Sequence, residues 1–547
     1  MATFIDITQN ILSQNNICFE TRNINKELIN VPLDDANFGI LDFKAVTSNE
    51  TTDVLEFIFI IDCSGSMSDM CSDGRTKMQH IAHTLKNMII FFNENPSINI
   101  FITISAFDTK IYKIVKRTKV TIENFASILS CIDKVYPRGT TDIEYALINS
   151  AEEINKIKDT FPTHKITHIF MTDGEATSGS NDITKLQSYI ILDVTNIFIG
   201  FGIDHDSVLL NGISSVGKSA YYFIDKLESA GLVYGEILHS IVHKVLTKPE
   251  ITIKNGLIYD YKTNTWVEKL RICDIVSESN KLFNIASNNP DQCTVEIKAN
   301  QTDDITIIFP SVRIENAELT SHLYRQRTLQ LLFEVNEFLN KNREKRMTIN
   351  NNYSRNIFSH VPIQRNNDGW REQKNIIKEK LFNFITEMKN YMSENNLEND
   401  KILKNLCDDI YVCYRTFDTK YGFMFCTARQ TSQGTQRIYT ASNTDDNNLN
   451  QLTTPLYGLN RPVNINFNHY NNINNNNNDN DNDNTNLSLN VDDLHHELSN
   501  FADTPYLTPQ ATNVIRSISA PSQDDDDDLL GLNNDDFEEE NRQQTVK

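Results

Sequence analysis

The stretch FIFIIDCSGSMSDM, residues 57–70, runs from five apolar residues into Asp62 and then sets Ser64, Ser66 and Ser68 among small residues. A short, continuous apolar run closed by turn-forming residues reads as a buried strand. Either one of the serines that follow it is a nucleophile, or the hydroxyls and the aspartate hold a cation. The surrounding chain decides between these readings.

From residue 53 to residue 247, β-branched runs alternate with segments whose apolar residues recur every three or four positions. The strands are FIFII (57–61), INIFITISAF (98–107), ITHIFM (166–171), VTNIFIGFG (194–202) and SAYYFI (219–224), with KIYKIV (110–115) as an edge hairpin. HIAHTLKNMIIFF, IEYALINSAEEINKI, ITKLQSYIIL and LESAGLVYGEILHSIVHKVL supply the helices. This alternation predicts an α/β fold, a doubly wound and mostly parallel sheet with helices on both faces. Ligands of such sheets bind outside the carboxyl ends of the strands. Asp62 follows the first strand, Asp173 follows ITHIFM, and Thr141 and Asp142 open a helix in PRGTTDIEYAL. Hydroxyls and carboxylates at one solvent-facing sheet edge are hard oxygen donors, suited to Mg²⁺, Mn²⁺ or Ca²⁺.

On these residues the chain resembles the von Willebrand factor A domain, a Rossmann-like fold. The metal-ion-dependent adhesion site of that family reads Asp-x-Ser-x-Ser, a distant Thr, then a strand-end Asp. Asp62, Ser64, Ser66, Thr141 and Asp173 match in order, with Thr141 preferred to Thr140 because GTTDI aligns with the family's Gly-Gly-Thr-Asn-Ile. The resemblance implies that Ser64, Ser66 and Thr141 bind the cation directly while Asp62 and Asp173 act through waters. It also implies that a protein partner presenting Asp or Glu completes the shell.

Catalysis is the weaker reading. A hydrolase elbow needs Gly-x-Ser-x-Gly, and here the serines sit in Cys63-Ser64-Gly65-Ser66-Met67. GISSVGKS, residues 212–219, satisfies the letters of a phosphate-binding loop, but a helical stretch precedes it and a strand follows, the reverse of what phosphate binding requires. His80 and His83, and His239 and His243, have helical spacing without a His-Glu-x-x-His pattern and read as helix-surface residues.

Outside residues 53–247 the organisation changes. Residues 1–52 form an N-terminal segment, partly strand, and LDFKAV (41–46) is expected, by analogy with the family, to join a β-rich module at 248–315 made of EITI, LIYDYK, WVEKLRIC, TVEIKA and DITIIFP. Residues 316–426 return to helical period, with Leu332, Val335 and Leu339, then Ile377, Leu381, Ile385 and Met388, then Leu403, Leu406 and Ile410. From 427 to 547 the Asn-rich, acidic composition predicts a disordered tail that reads first as a solvated, solubilising segment; the sharper alternative makes DDLLGL (527–532) a docking peptide, or has a tail aspartate complete the cation's shell within its own chain.

The formal charge of −22 is concentrated there: residues 430–547 hold 19 Asp and Glu against 5 Lys and Arg, a charge of −14 that leaves −8 on the other 429 residues. Without a basic stripe, nucleic acid is excluded as an expected partner. No apolar run nears the roughly 18 residues of a membrane span, and the start carries no signal peptide. Nine cysteines without a CxxC pair fit reduced thiols, hence a cytoplasmic protein without a membrane partner. The expectation is a non-enzymatic scaffold of the intracellular type, with Mg²⁺ or a related cation as cofactor; the oligomeric state has no signature in the chain. The alternative is a structural or virion assembly protein with a vestigial metal site, since the Ile, Asn and Lys bias resembles A+T-rich protists and giant viruses.

Overall fold

The computed structural model describes residues 12–45, 53–71, 74–202, 204–224, 230–247, 249–299, 305–309, 311–314, 319–353, 368–417, 421–437, 506 and 508–519. Two antiparallel strands, β1 (Leu12–Asn23) and β2 (Asn37–Ala45), come first. An alternating series follows: β3 (Leu55–Asp62), α1 (Lys77–Glu94), β4 (Ile100–Phe107), β5 (Ile111–Lys119), α2 (Phe125–Ile132), α3 (Ile143–Thr160), β6 (Lys165–Thr172), α4 (Ile183–Gln187), β7 (Thr195–Phe201), α5 (Ser207–Ile213), β8 (Lys218–Ile224) and α6 (Ala230–Val242).

These strands form one sheet in the order β5-β4-β3-β6-β7-β8, parallel except for β5. All eight residues of β3 are buried, as a strand covered by helices on both faces must be. The chain passes from β3 to β4 on one side and later returns to β6 on the other. The crevice of this doubly wound sheet therefore opens at the carboxyl ends of β3 and β6, where Asp62 and Asp173 lie. Helix starts are fixed by side chains: Thr76 and Gln79 form a reciprocal capping box before α1, and Asp142 accepts the Tyr145 N–H at the start of α3.

The β-rich region comprises β9 (Lys244–Leu246), β10 (Glu250–Lys254), β11 (Leu257–Asp260), β12 (Thr265–Val267), β13 (Lys269–Arg271), β14 (Ile275–Val276), β15 (Asn280–Ser287), β16 (Thr294–Ala299), β17 (Ile305–Phe309) and β18 (Ser311–Ile314). A six-stranded sheet, β12-β11-β15-β2-β1-β18, joins the N-terminal strands to this region, beside the sheet β13-β10-β16-β17 and the pair β9-β14. Phe19, Leu41 and Phe43 from one end of the chain share a buried core with Ile251, Ile285 and Val295 from beyond the α/β domain. Four helices follow, α7 (Thr320–Tyr353), α8 (Asp368–Asn395), α9 (Lys401–Thr416) and α10 (Gly422–Thr435), and then α11 (Pro509–Ser519). Leu332, Val335, Ile377, Leu381, Ile385, Met388, Leu403, Leu406 and Ile410 meet in one core, with Leu339 at its margin.

Several local expectations are corrected. The last helix of the α/β domain ends at Val242, and its expected continuation is strand β9, paired with β14. WVEKLRIC is two short strands in different sheets, β12 on β11 and β13 on β10. ITKLQSYIIL is helical only over Ile183–Gln187, and α2 and β15 were not anticipated. The tail expected from 427 is entered by α10, which runs to Thr435. It is interrupted by α11, whose Ala511, Val514, Ile515 and Ile518 are buried. Those four residues, spaced three, one and three apart, form the apolar stripe of a packed helix. The Asn run and residues 524–532 lie outside the described residues.

Candidate metal-binding site

At the end of β3, Asp62 turns its carboxylate back on its own loop. Its Oδ1 accepts the Ser64 N–H at 2.7 Å and its Oδ2 accepts the Thr172 hydroxyl, from the end of β6, at 2.5 Å. Both oxygens are thus committed to bracing the loop and the neighbouring strand. Ser64 Oγ and Ser66 Oγ stand 3.1 Å apart, and Ser66 donates to Asp173 Oδ1 at 2.8 Å. A Cβ built on Gly174 would lie 3.5 Å from Thr141 Oγ1 and 3.7 Å from Ser66 Oγ, so the third hydroxyl reaches the same spot.

Thr141 is held there by the loop after β6. Its N–H donates to Thr177 Oγ1 at 2.9 Å, and its carbonyl accepts the N–H groups of Thr177 and Ser178 at 3.0 and 3.2 Å. Gly139 makes the approach to this loop possible. Its φ is +69°, and a Cβ there would come within 2.7 Å of an Asp108 oxygen while the Gly139 carbonyl receives the Gly65 N–H. The five residues singled out in the sequence therefore converge, and Thr140 is exposed while Thr141 is not.

The expected solvent-facing edge is corrected. Asp62 and Asp173 are wholly buried, and Ser64 and Thr141 are 2% and 3% exposed. The loops from β3, β6 and the start of α3 rise past their own donors and leave Ser66 partly open. Burial pushes the Asp62 carboxyl up to about 6, against the opposing hydrogen bonds from Thr172 and Ser64.

Sequence reasoning missed Lys77. Its ammonium lies 2.9 Å from Asp173 Oδ2 and 3.3 Å from Asp69 Oδ2, with only 12% of the side chain exposed. Burial works against its charge, but the bonds and charges of Asp173 and then Asp69 outweigh that and raise its pKa. Lys77 is the first residue of α1, where the helix dipole disfavours a cation. A lysine at that position signals a specific anionic partner, and this is the cue the sequence offered.

Cys63 points away from the hydroxyls, with Sγ 3.2 Å from the Phe107 carbonyl, and burial raises its thiol to about 12. GISSVGKS joins the end of α5 to β8, the order that opposes phosphate binding. The histidine reading is corrected. His80, His239 and His243 are buried rather than on helix surfaces, and the rings of His239 and His243 are 5.3 Å apart. Among the described residues no group of three or more His, Cys, Asp or Glu side chains is placed to hold a metal, so any cation site here is one of hydroxyls supported by two carboxylates. No helix of the described residues is long and apolar enough to cross a membrane.

Residues 56–236, about a third of the chain, match the family model of the von Willebrand factor type A domain. A relative with the same domain, a von Willebrand factor A domain-containing protein of Dictyostelium discoideum, is 29% identical over 188 residues, 33% of this chain and 18% of that protein. The chain thus aligns with less than a fifth of that relative's length. Among solved structures, a von Willebrand factor type A protein from Catenulispora acidiphila matches at 16% identity and a TM-score of 0.40, over 60% of this chain and 81% of that one. Proximal thread matrix protein 1 from the mussel byssus, described with a zinc-occupied adhesion-site motif, matches at 19% identity and a TM-score of 0.28, over 38% of this chain and 50% of that one.

Proposed function

We propose that this chain is a non-enzymatic scaffold whose A domain binds a protein partner by its Asp or Glu through a divalent cation held at Ser64, Ser66 and Thr141. The observation that carries the reading is the gathering of three hydroxyls around Ser66, which itself donates to the buried Asp173, with Asp62 spent on bracing the loop. Such an all-oxygen set fits Mg²⁺, and Mn²⁺ or Ca²⁺ as alternatives. A bound cation would supply a Lewis-acidic point that attracts a carboxylate. The rim favours a macromolecular ligand. Met70 and Tyr136, on the loops that carry Ser66 and Thr141, and Tyr145, in the first turn of α3, are 65%, 59% and 44% exposed. Exposed aromatic and Met side chains around one polar centre are the composition of a protein-binding patch.

Calorimetric titration of Mg²⁺ and Mn²⁺ into the full chain, beside Asp173→Asn, tests the reading. Binding by the wild type and its loss in the variant are expected. Equal binding by both would place the cation elsewhere and overturn the assignment.

A further inference from the structure

Helix α11 and Tyr506 before it bridge three regions of the molecule. Tyr506 donates its hydroxyl to Gln433 Oε1 of α10 at 3.1 Å. At the start of α11, the Gln510 N–H donates to Glu278 Oε2, in the turn between β14 and β15, at 2.9 Å. The body of the helix lies on α6 and α1 of the A domain. Its last turn closes on α1, where the Asn87 side-chain N–H donates to the Ile518 carbonyl at 2.6 Å.

The face beneath α11 is shaped for a helix. A Cβ on Gly235 of α6 would come within 2.6 Å of an Ile515 side-chain carbon and 2.8 Å of its Cα, so a second backbone is admitted only because no side chain stands there. Ala511, Val514, Ile515 and Ile518 are buried, and Val514 and Ile518 join the core of the A domain, while Asn513, Arg516 and Ser517 face solvent. The start of the helix is held by groups suited to it. The Thr508 hydroxyl accepts the Ala511 N–H at 3.1 Å, and the Glu278 carboxylate lies at the positive end of the helix dipole. Glu278 reaches α11 from a backbone with φ of +60°, uncommon for a residue with a side chain.

The docking is finely balanced. A helix of eleven residues does not persist in water by itself, so α11 is helical because it is docked. Four apolar side chains, one of them alanine, must offset the ordering of the whole segment, and these two contributions nearly cancel. The bonds at the two ends then tip the equilibrium. We propose that the face formed by α1 and α6 is a helix-docking site, separate from the sheet edge and independent of any cation, with α11 as its dissociable occupant. Residues 506–519 fold as they dock. Their release bares a groove that takes a helix in trans with the same stripe, a small residue followed by aliphatic residues three, four and seven positions on. Such a partner must outcompete an occupant tethered to the same chain, which makes α11 a gate on this surface.

Hydrogen exchange and peptide competition on the full chain test this. In the wild type, the amides of residues 511–518 should open at least about tenfold more often than those of β3 and β6. Exchange of α11 in step with those strands would make it a fixed part of the domain and overturn the proposal. A fluorescent peptide of residues 505–520 should bind a chain carrying Ile515→Asp and Ile518→Asp at least about tenfold more tightly than the wild type, because the tethered competitor is disabled. Adding Gly235→Leu, which fills the gap and favours the helical state of α6, should abolish that capture. In an otherwise wild-type chain, Gly235→Leu should strip protection from 511–518 while β3 and β6 keep theirs. Equal capture by the wild type and the doubly substituted chain, or capture that survives Gly235→Leu, would overturn the docking site. Protection of α11 that rises with chain concentration would assign the helix to a neighbouring copy and overturn the intrachain arrangement. Chelator should change none of these readings, so failure here leaves the cation reading untouched.

Discussion

Among the described residues, two places set a pair of aspartates against one cation, and they differ in what surrounds the pair. At the sheet edge, Lys77 of α1 lies between the buried Asp173 and the more exposed Asp69, while the neighbouring Asp62 is held by the Ser64 N–H and the Thr172 hydroxyl. In the helical region, Asp408 and Asp409 are consecutive in α9, and the Arg429 guanidinium of α10 meets them at 2.5 and 3.0 Å. Arg429 is fully buried, and burial pushes Asp409 up to about 7 even with that cation beside it. Asp62 and Asp173 are also buried, but serine and threonine hydroxyls surround them and one of these, Ser66, remains partly open. Buried aspartates beside one cation make a helix clamp where helices close over them, and border an accessible hydroxyl where loops leave an opening.

The clamp is the easier of the two to break. Arg429→Met leaves two carboxylates buried without their guanidinium, and the expected loss is about 3 to 5 kcal/mol of stability by denaturant unfolding. Adding Asp408→Asn and Asp409→Asn should restore most of it, since the cost lies in the unpaired charge. Cation binding should not change in either variant. Asp173→Asn is the converse case: Mn²⁺ affinity should fall by more than about 100-fold, roughly 2.7 kcal/mol, with a smaller change in thermal midpoint because Lys77 keeps Asp69. A large stability loss without a binding loss would make the sheet edge a second clamp.

Proton linkage sharpens the contrast. Asp409 has a folded pKa of about 7, above the ordinary carboxyl value, so the stability it contributes is complete at low pH and is lost as pH rises from about 4 through 7. Asp409→Asn should therefore gain on the wild type as pH rises, by at most about 1.4 kcal/mol per pH unit. His205, in the A domain, has the opposite sign. Burial lowers its folded pKa to about 4, below the ordinary 6.5, so its contribution is complete above 6.5 and is lost as pH falls toward 4. His205→Gln should gain on the wild type with acidification instead. Thermal midpoints of both variants across pH 4 to 8, each subtracted from the wild type, should slope in opposite directions.

How much of this the sequence carried depends on how local each signal is. The convergence of the five candidate residues was legible because Asp62 and Asp173 close strands whose apolar runs announce them, Ser64 and Ser66 follow Asp62 directly, and Thr141 opens a helix at the same sheet edge. The depth of the site was not legible, because it depends on how far three separate loops rise around it. The Arg429 clamp could not be read at all: it is a matter of how α9 and α10 pack, and neither local spacing nor composition encodes that. Helix α11 had a local signal in Ala511, Val514, Ile515 and Ile518, but eleven residues of helical period are overwhelmed when the composition is judged across a tail of Asn and Asp. WVEKLRIC misled for the opposite reason, since its alternation fits one strand and only the pairing of β12 and β13 with different partners divides it.

Lys77 marks where the clamp and the site are closest in character, and removing its charge gives the smallest of the expected effects. With its ammonium 2.9 Å from Asp173, it neutralises the carboxylate that a bound cation would need, and it stands as a like charge beside any cation that arrives. Lys77→Gln should therefore raise Mn²⁺ affinity by about 3- to 10-fold, on the order of 1 kcal/mol. The change also removes a cation from the first turn of α1, which the helix dipole favours, and leaves Asp173 accepting from Ser66. Calorimetry on the two full chains measures the difference directly, at two salt concentrations because a term carried by charge shrinks as salt rises. Tighter binding would show that the lysine competes with the cation for Asp173. Weaker binding would show that the ammonium orders the carboxylate for the cation, and the sheet edge would then resemble the Arg429 cluster more closely than its open rim implies.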